Sequence, residues 1–357
     1  MGEREQLRIA HVTSASNFVY GAVHSMMTLA GAQRDQGDEV QFVTFKGKPF
    51  NDELKDLGWK HTPFRVRFKV DPVAVVQMAK FFRREKIDIV HTHLSTSSVN
   101  GCLAARLAKI PCVATVHGMS GKLSFVFANH MIGVSHGVRQ HLIQQGVKPE
   151  GINAVYNGVD LPPMMLSKKE AREKFGIDRD ALVFGTVSRL TQMKGIFFSI
   201  RAFEEIQKAL PNSVYVLVGD GDQTELFKAL VGDLNLSEKI LFLGYQSNVF
   251  EPLAAMDIFL FPSLKEAMGI SVVEALAVGL PVVSTNVGGL PEVVSASVGS
   301  LVPPMDYKAM AQEAILIANG DLAQFSLAAK DRARVLFSVQ TMLDGTNRVY
   351  ERLRKLK

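Results

Sequence analysis

Two cysteines, Cys102 and Cys112, are all that the 357 residues contain. That is too few for a disulfide framework, and neither has the paired spacing of a zinc or redox motif. Cys112 lies in a strand-like apolar run, which reads as an inert core thiol. No run reaches the ~18–20 apolar residues needed to cross a bilayer. The charged N-terminus, MGEREQ, is not followed by the apolar stretch of a signal peptide. Together these absences point to a cytoplasmic protein, with peripheral attachment to the inner face of a membrane left open. The loop HVTSASNFVYG after the first apolar run lacks the G-x-G-x-x-G fingerprint, which argues against a nicotinamide-dependent dehydrogenase. Helix-turn-helix, zinc and aromatic RNA-binding signatures are also missing, so nucleic acid is not an expected partner.

What is present suits two domains. The length exceeds a typical single core, and 47% apolar residues are ample for packed interiors. The net charge of +5 is unevenly placed, with 19 Lys and Arg against 13 Asp and Glu in residues 1–165. The remainder is nearly neutral. Arg65, Arg67 and Lys69 form one basic group; Lys80, Arg83, Arg84 and Lys86 form another. Lys80, Arg83 and Arg84 share a helical face by their spacing. With Phe64, Phe68, Phe81 and Phe82 nearby, that face could lie on anionic lipid. The plainer reading is a solvated helix face over core phenylalanines.

Short apolar runs alternate with helical patterns along the first half. Strands are expected at 7–12, 39–45, 87–93, 111–117 and 130–135, and helices at 22–36, from 72, 97–109 and 136–145. The run NGVDLPPMMLS, with Pro162 and Pro163, reads as a linker. A second alternating set follows, with strands at 181–190, 213–221, 239–244, 258–263, 281–286 and 300–304. This pattern predicts an α/β protein of two doubly wound parallel sheets facing across a deep cleft. The expected domains are 1–163 and 164–338, with a C-terminal helix at 339–357 packing back on the first.

The chemistry should gather at the carboxyl ends of the strands. Glu266 and Glu274 stand eight positions apart around Gly269, where the strand-like IFLFPS gives way to the amphipathic ISVVEALAVG. A loop that opens a helix exposes backbone N–H groups that favour an anion, so the stretch suits a phosphorylated sugar compound. Two solvated glutamates on a surface helix is the competing reading. Arg189 and Lys194, in VSRLTQMKG, place two cations between a strand and a helix, which suits a diphosphate. His117 ends one strand, and His91 and His93 end its neighbour. No carboxylate or cysteine completes a metal set, so each reads first as a structural histidine and no metal is expected. Gly21 lies between the first strand and helix, where it makes a turn or admits a ligand. The carboxylates of VGDGD, Asp220 and Asp222, read as part of a tight turn.

In order, the chain carries TVHG (115–118), YNGVD (156–160), GTVSRLTQMKG, VLVGDGD, FLGYQSNV, DIFLFPS, the E-x7-E pair Glu266 and Glu274, and GLPVVST. This series resembles the retaining, nucleotide-sugar-dependent glycosyltransferases of GT-B fold, the large group that includes sucrose synthase and phosphatidylinositol mannosyltransferase. The resemblance implies a metal- and cofactor-independent enzyme that moves a sugar from a nucleotide donor, and the basic first half points to a cell-envelope glycan or glycolipid as acceptor. The sequence does not read out the base, and a UDP-sugar is the expected donor ahead of GDP-mannose. The resemblance also implies residue roles. Arg189 and Lys194 would hold the donor diphosphate with the backbone of Met268, Gly269 and Ile270. Glu266 would lie against the transferred sugar, and Glu274 would bind the ribose hydroxyls. Tyr245 and Gln246 would lie near the base, His117 near the reaction centre, and the Gly21 loop over the phosphates. Gly21-Ala22 stands where a Gly-Gly pair followed by an acid is frequent, and Ala267-Met268 where Gly-Phe is commoner. A sugar-nucleotide epimerase or phosphorylase of the same fold, or a non-catalytic binding subunit, is the alternative.

Overall fold

The computed structural model describes residues 5–17, 21–162 and 164–355. The chain divides into two compact units, Met1–Gly158 with Ser338–Lys357, and Val159–Phe337. Each is built on its own parallel sheet.

The first sheet has seven strands: β1 (Arg8–Thr13), β2 (Glu39–Phe45), β3 (His61–Phe64), β4 (Ile89–His93), β5 (Cys112–Val116), β6 (His130–Gly133) and β7 (Ile152–Ala154). Their order in space is β3-β2-β1-β4-β5-β6-β7. Winding reverses between β1 and β4, so the loops after these two strands flank a topological switch point, where open α/β sheets bind ligands. Strands β4 and β5 are buried along their whole length; β5 reads as a near-continuous apolar run, whereas β4 buries His91, Thr92 and His93 as well. The helices are α1 (Gly21–Asp35), α2 (Phe50–Asp56), α3 (Pro72–Arg84), α4 (Ser95–Ala108) and α5 (His136–Gln144).

Helix α3 starts where Asp71-Pro72 directs it. The Asp71 carboxylate accepts from Val73 N and Ala74 N at 3.1 Å, and Pro72 takes the first position, where no N–H is needed. Of the four phenylalanines near the basic groups, only Phe68 is exposed; Phe81 and Phe82 are buried. Arg83 donates to the Leu107 carbonyl, and Arg84 pairs with Glu85 at 3.0 Å and lies over the Phe81 ring. The exposed apolar side chains of this region are instead Phe68, Val70, Val73 and Val76. The C-terminal helix (Val339–Lys355) packs Val349, Tyr350 and Leu353 against Leu7, Ile9, Ile89, Val113 and Ile132. Each such buried side chain stabilises by about 1.5–3 kcal/mol. Cys102 and Cys112 are free and fully buried, with their sulfurs 3.0 Å apart.

The second sheet contains β8 (Leu182–Val187), β9 (Ser213–Val218), β10 (Ile240–Gly244), β11 (Ile258–Phe261), β12 (Val282–Thr285) and β13 (Gly299–Val302). The order is β10-β9-β8-β11-β12-β13, so its switch point falls between β8 and β11. The helices are α6 (Lys168–Phe175), α7 (Ile196–Ala209), α8 (Thr224–Asp233), α9 (Phe250–Ala255), α10 (Ile270–Val278), α11 (Leu290–Val293), α12 (Tyr307–Ala318) and α13 (Leu322–Leu336). Helix α6 is opened by a capping box between Ser167 and Glu170 and closed by Gly176 at φ +66°. Its Arg172 pairs with Asp257 at 2.7 Å, and Asp257 also accepts from Val183 N, so α6 is tied to the starts of β8 and β11. No helix among the described residues is long and apolar enough to cross a membrane.

Candidate functional site

Two loops meet at the switch point of the second sheet. After β8 the chain runs through a 3-10 turn (Gln192–Lys194) to Gly195, whose φ is +66°. A side chain at Gly195 would put its Cβ 2.1 Å from the Pro262 carbonyl oxygen. Glycine therefore lets this loop lie directly on the end of β11, and Leu264 N donates to Met193 O at 2.9 Å to hold it there. The result brings Lys194 Nζ to 2.5 Å from Glu266 Oε2. Both side chains are largely shielded, at 20% and 15% exposure, and Lys194 also lies 5.4 Å from the Phe261 ring centre. The second Glu266 oxygen accepts from Ala267 N at 3.1 Å.

Gly288 supports Glu266 from behind. Its φ is +57°, and a Cβ there would lie 1.7 Å from the Glu266 carbonyl oxygen. Gly269 then opens α10 at φ +87°, with no side chain capping the helix. Glycine is required here by that backbone angle and by Leu290, 2.8 Å from where a Cβ would be. Met268 is buried, so toward a ligand it offers backbone rather than side chain. Ile270 is the first residue of α10, half-buried. Glu274 lies one turn further on, buried, and burial alone raises its pKa to about 7. An uncapped helix start and two carboxylates, one paired with the shielded Lys194 of the β8 loop and one buried, thus lie along one strand-loop-helix element.

Arg189 is exposed on the β8 loop. The glycines of VGDGD are structural: a Cβ on Gly219 would lie 1.9 Å from Ser188 O, and one on Gly221 2.3 Å from Leu190 O. These contacts, with Leu190 N donating to Asp220 O at 3.0 Å, set the backbone on either side of Arg189. Asp220 is spent locally, accepting from Gly221 N and Thr224 Oγ1 at 2.7 Å. Tyr245 is exposed after β10, and Gln246 folds back to donate to Leu243 O at 2.8 Å.

In the first unit His117 follows β5, half-buried, with Nδ1 covered and without a hydrogen-bond partner among the described residues. Its Nε2 lies 3.0 Å from His93 Nδ1. His91 and His93 are buried, and a residue that the sequence did not single out, His11, joins them. The register explains the meeting, because β1 pairs with β4 so that His11 stands opposite His91. Potential ligand nitrogens of His11, His91 and His93 lie within 4.8 Å of one another. Each of these rings is already engaged by its neighbours. His11 bonds His93 at 2.9 Å and Gln33 at 2.7 Å, and His91 bonds Tyr350 and Thr115 at 2.6 Å each. Desolvation lowers all four pKa values, those of His11 and His117 to about 4. Gly21 is exposed and opens α1. Residues 18–20 of its loop lie outside the described residues.

Two parallel α/β units, with a cation, an open helix start and carboxylates at a switch point, define the class of Rossmann-like proteins built to hold a phosphorylated ligand. The family model described as glycosyl transferases group 1 matches residues 167–334, and that described as Glycosyltransferase Family 4 matches 19–162. Together the two models span most of the chain and support a group 1 glycosyltransferase, and the fold is GT-B. It is 34% identical over 243 residues to the Escherichia coli UDP-Gal:alpha-D-GlcNAc-diphosphoundecaprenol alpha-1,3-galactosyltransferase. That match covers 61% of this chain and 63% of the E. coli enzyme's length. It is 28% identical to the Bacillus anthracis N-acetyl-alpha-D-glucosaminyl L-malate synthase over 84% of this chain and 85% of that one. Among solved structures, Anabaena Alr3699/HepE in complex with UDP matches with a TM-score of 0.84 at 22% identity, covering 97% of this chain and all of the other.

Proposed function

We propose that this chain is a retaining, metal-independent glycosyltransferase that moves a sugar from a nucleoside-diphosphate donor to a cell-envelope glycan or glycolipid. The observation that carries the reading is the shielded Lys194–Glu266 pair beside the uncapped start of α10. Negative charge develops on the departing diphosphate as the sugar leaves. Lys194, Arg189 and the N–H groups at Gly269 and Ile270 would stabilise that charge without a metal ion. Glu266 would then face the sugar, Glu274 the ribose hydroxyls, and Tyr245 and Gln246 the base. Residues 164–338 form the donor domain in this reading. Residues 1–163 form the acceptor domain, which carries His117 and the Gly21 loop. A UDP-sugar is preferred to GDP-mannose, supported by the donor in the E. coli relative's name and by the UDP bound in the Anabaena structure.

The acceptor side is supported by the first unit. An open cavity of about 600 Å³ is lined by Lys69, Lys122 and three serines together with Gly121, Leu123 and Gln145, so that groups suited to phosphate stand beside a largely apolar wall. Lys69 belongs to the loop whose Arg65, Arg67, Phe68 and Val70 are exposed, a mixture suited to an anionic membrane surface. A lipid-linked acceptor, of the kind named for the E. coli relative, fits both, with the protein peripheral on the inner face of the membrane. The test is transfer from UDP-hexoses to a polyprenyl-diphosphate sugar, with the product anomer read by NMR and the rate measured with and without EDTA. Retention and EDTA-insensitive transfer are expected. Donor-sugar isomerisation without transfer would replace this reading with an epimerase. Vesicles containing anionic lipid should bind the protein, and an Arg65/Arg67/Lys69 triple glutamate variant should not bind them. Equal binding to neutral vesicles would remove the electrostatic part of the membrane proposal.

A further inference from the structure

The buried histidines form part of a single hydrogen-bonded chain. From one end it runs His117 Nε2 to His93 Nδ1 at 3.0 Å, then His93 Nε2 to His11 Nδ1 at 2.9 Å, then His11 Nε2 to Gln33 Oε1 at 2.7 Å. It continues from Gln33 Nε2 to Tyr350 Oη at 3.2 Å, from Tyr350 Oη to His91 Nδ1 at 2.6 Å, and from His91 Nε2 to Thr115 Oγ1 at 2.6 Å. Elements from the two ends of the chain meet in it: β1, α1, β4, β5 and the C-terminal helix.

A neutral imidazole has one N–H donor and one acceptor nitrogen. A row of neutral imidazoles linked nitrogen to nitrogen must therefore point all its protons the same way. One reversed ring would set two N–H groups, or two lone pairs, against each other. Hydroxyls such as those of Tyr350 and Thr115 can donate or accept and impose no direction. The amide of Gln33 is the one group in the chain with a fixed donor end and a fixed acceptor end. Its oxygen faces His11 and its nitrogen faces Tyr350. That orientation requires His11, His93 and His117 each to carry the proton on Nε2. The row then ends at His117 Nδ1 as a bare lone pair. This nitrogen is covered and has no partner among the described residues. Burial keeps the rings neutral, which the scheme needs: desolvation lowers His11 and His117 to about 4, and His91 and His93 well below the ordinary histidine value.

We propose that Gln33 is a positioning residue that, through His11 and His93, fixes His117 in the tautomer that leaves Nδ1 a bare acceptor, open to a sugar hydroxyl only once the groups covering it move aside. A lone pair at that position attracts an O–H and repels a phosphate oxygen, which has no proton to give at neutral pH. The sugar ligand rests on the glycosyltransferase reading above, whereas the tautomer assignment does not depend on it.

The test is a long-range proton–nitrogen NMR spectrum of the full-length protein labelled with 15N-histidine, recorded at pH 7 without ligand. Nε2-protonated His11, His93 and His117 are expected. A His117 protonated on Nδ1, or an equal mixture of both forms, overturns the proposal whether or not a nucleotide binds. Gln33→Met keeps the bulk but removes the acceptor for His11. It is expected to give mixed tautomers at His117 and a roughly tenfold or greater loss of kcat/KM for transfer. Gln33→Glu keeps an acceptor oxygen toward His11 and should restore the single tautomer and most of the activity. A Gln33→Met variant that loses activity while His117 stays Nε2-protonated would mark a packing effect and refute the relay. Should Gln33→Met fail to fold, the wild-type spectrum still decides.

Discussion

Lys194 and Glu266 lie 72 residues apart in the chain and 2.5 Å apart in space. The lysine proposed to hold the donor diphosphate is already neutralised by the carboxylate proposed to face the sugar. A diphosphate must therefore compete with Glu266 for the ammonium group. Glu266→Gln removes the competitor but keeps the shape. Nucleoside diphosphate affinity is expected to hold or rise by about threefold to tenfold, while transfer falls by roughly two orders of magnitude or more. Calorimetry and a transfer assay on the same preparation check both halves. A parallel loss of affinity and activity would mean that Glu266 supports the fold of the loop rather than the chemistry.

Glu274 has a pKa raised by burial to about 7, from an ordinary carboxyl value near 4.5. The folded protein holds that proton more tightly than the unfolded chain, so stability from this group falls as pH rises from 4.5 to 7 and stays reduced above. Glu274→Gln should match the wild type in stability near pH 4.5 and exceed it above pH 7 by on the order of 3 kcal/mol. Denaturant titrations at several pH values measure the difference. Ribose hydroxyls would favour the ionised form, so nucleotide affinity should rise as pH rises through about 7, and the variant should lose that dependence. A pH-independent stability gap would show that the carboxyl is not buried in its neutral form.

The histidine row has the opposite sign. His11 and His117 are held at about 4, below the ordinary histidine value of 6.5. Between those values the unfolded chain binds protons that the folded row refuses. The contribution of the row is complete above pH 6.5 and is lost as pH falls toward 4. Thermal midpoints should drop across that window, and His11→Asn should flatten the drop while lowering the plateau. A drop of equal size in the variant would place the acid sensitivity elsewhere.

Gly288 tests the backbone support of the site. With φ at +57° and the Glu266 carbonyl 1.7 Å from any added Cβ, Gly288→Ala must displace the Glu266 segment. A loss of about 1–3 kcal/mol in stability is expected, together with weakened nucleotide binding. Nucleotide affinity and stability both equal to the wild type would contradict the geometry.

The parts of the fold that were legible in the sequence are those with dense local signals. Strands β1, β4 and β8 are buried runs, and α3 announces itself by Asp71-Pro72. Helix α6 is marked in the sequence by the Ser167/Glu170 capping box and the closing Gly176. Strand β3 was hidden by Pro63, which the sheet tolerates because β3 is an edge strand. Within the candidate site, Glu266, Lys194 and His117 were named from local motifs, but the Lys194–Glu266 bond exists only through the fold. His11, Gln33 and Tyr350 gave no local signal. They meet because β1 pairs with β4 in one register and because the C-terminal helix brings Tyr350, 259 residues downstream of His91, back to that face of the sheet. The return of the C-terminal helix to the first domain is expected from the sequence, but the register and the face it meets are not.

The donor site itself is tested most directly by calorimetric titration of UDP and GDP into the wild-type protein and Lys194→Ala. Micromolar binding of at least one diphosphate to the wild type is expected, with UDP the tighter. Affinity should fall roughly 10- to 100-fold in the variant, as for loss of a charge-assisted hydrogen bond. No binding of either nucleotide to the wild type, or equal affinity in Lys194→Ala, would contradict the donor site assigned to the β8 and β11 loops.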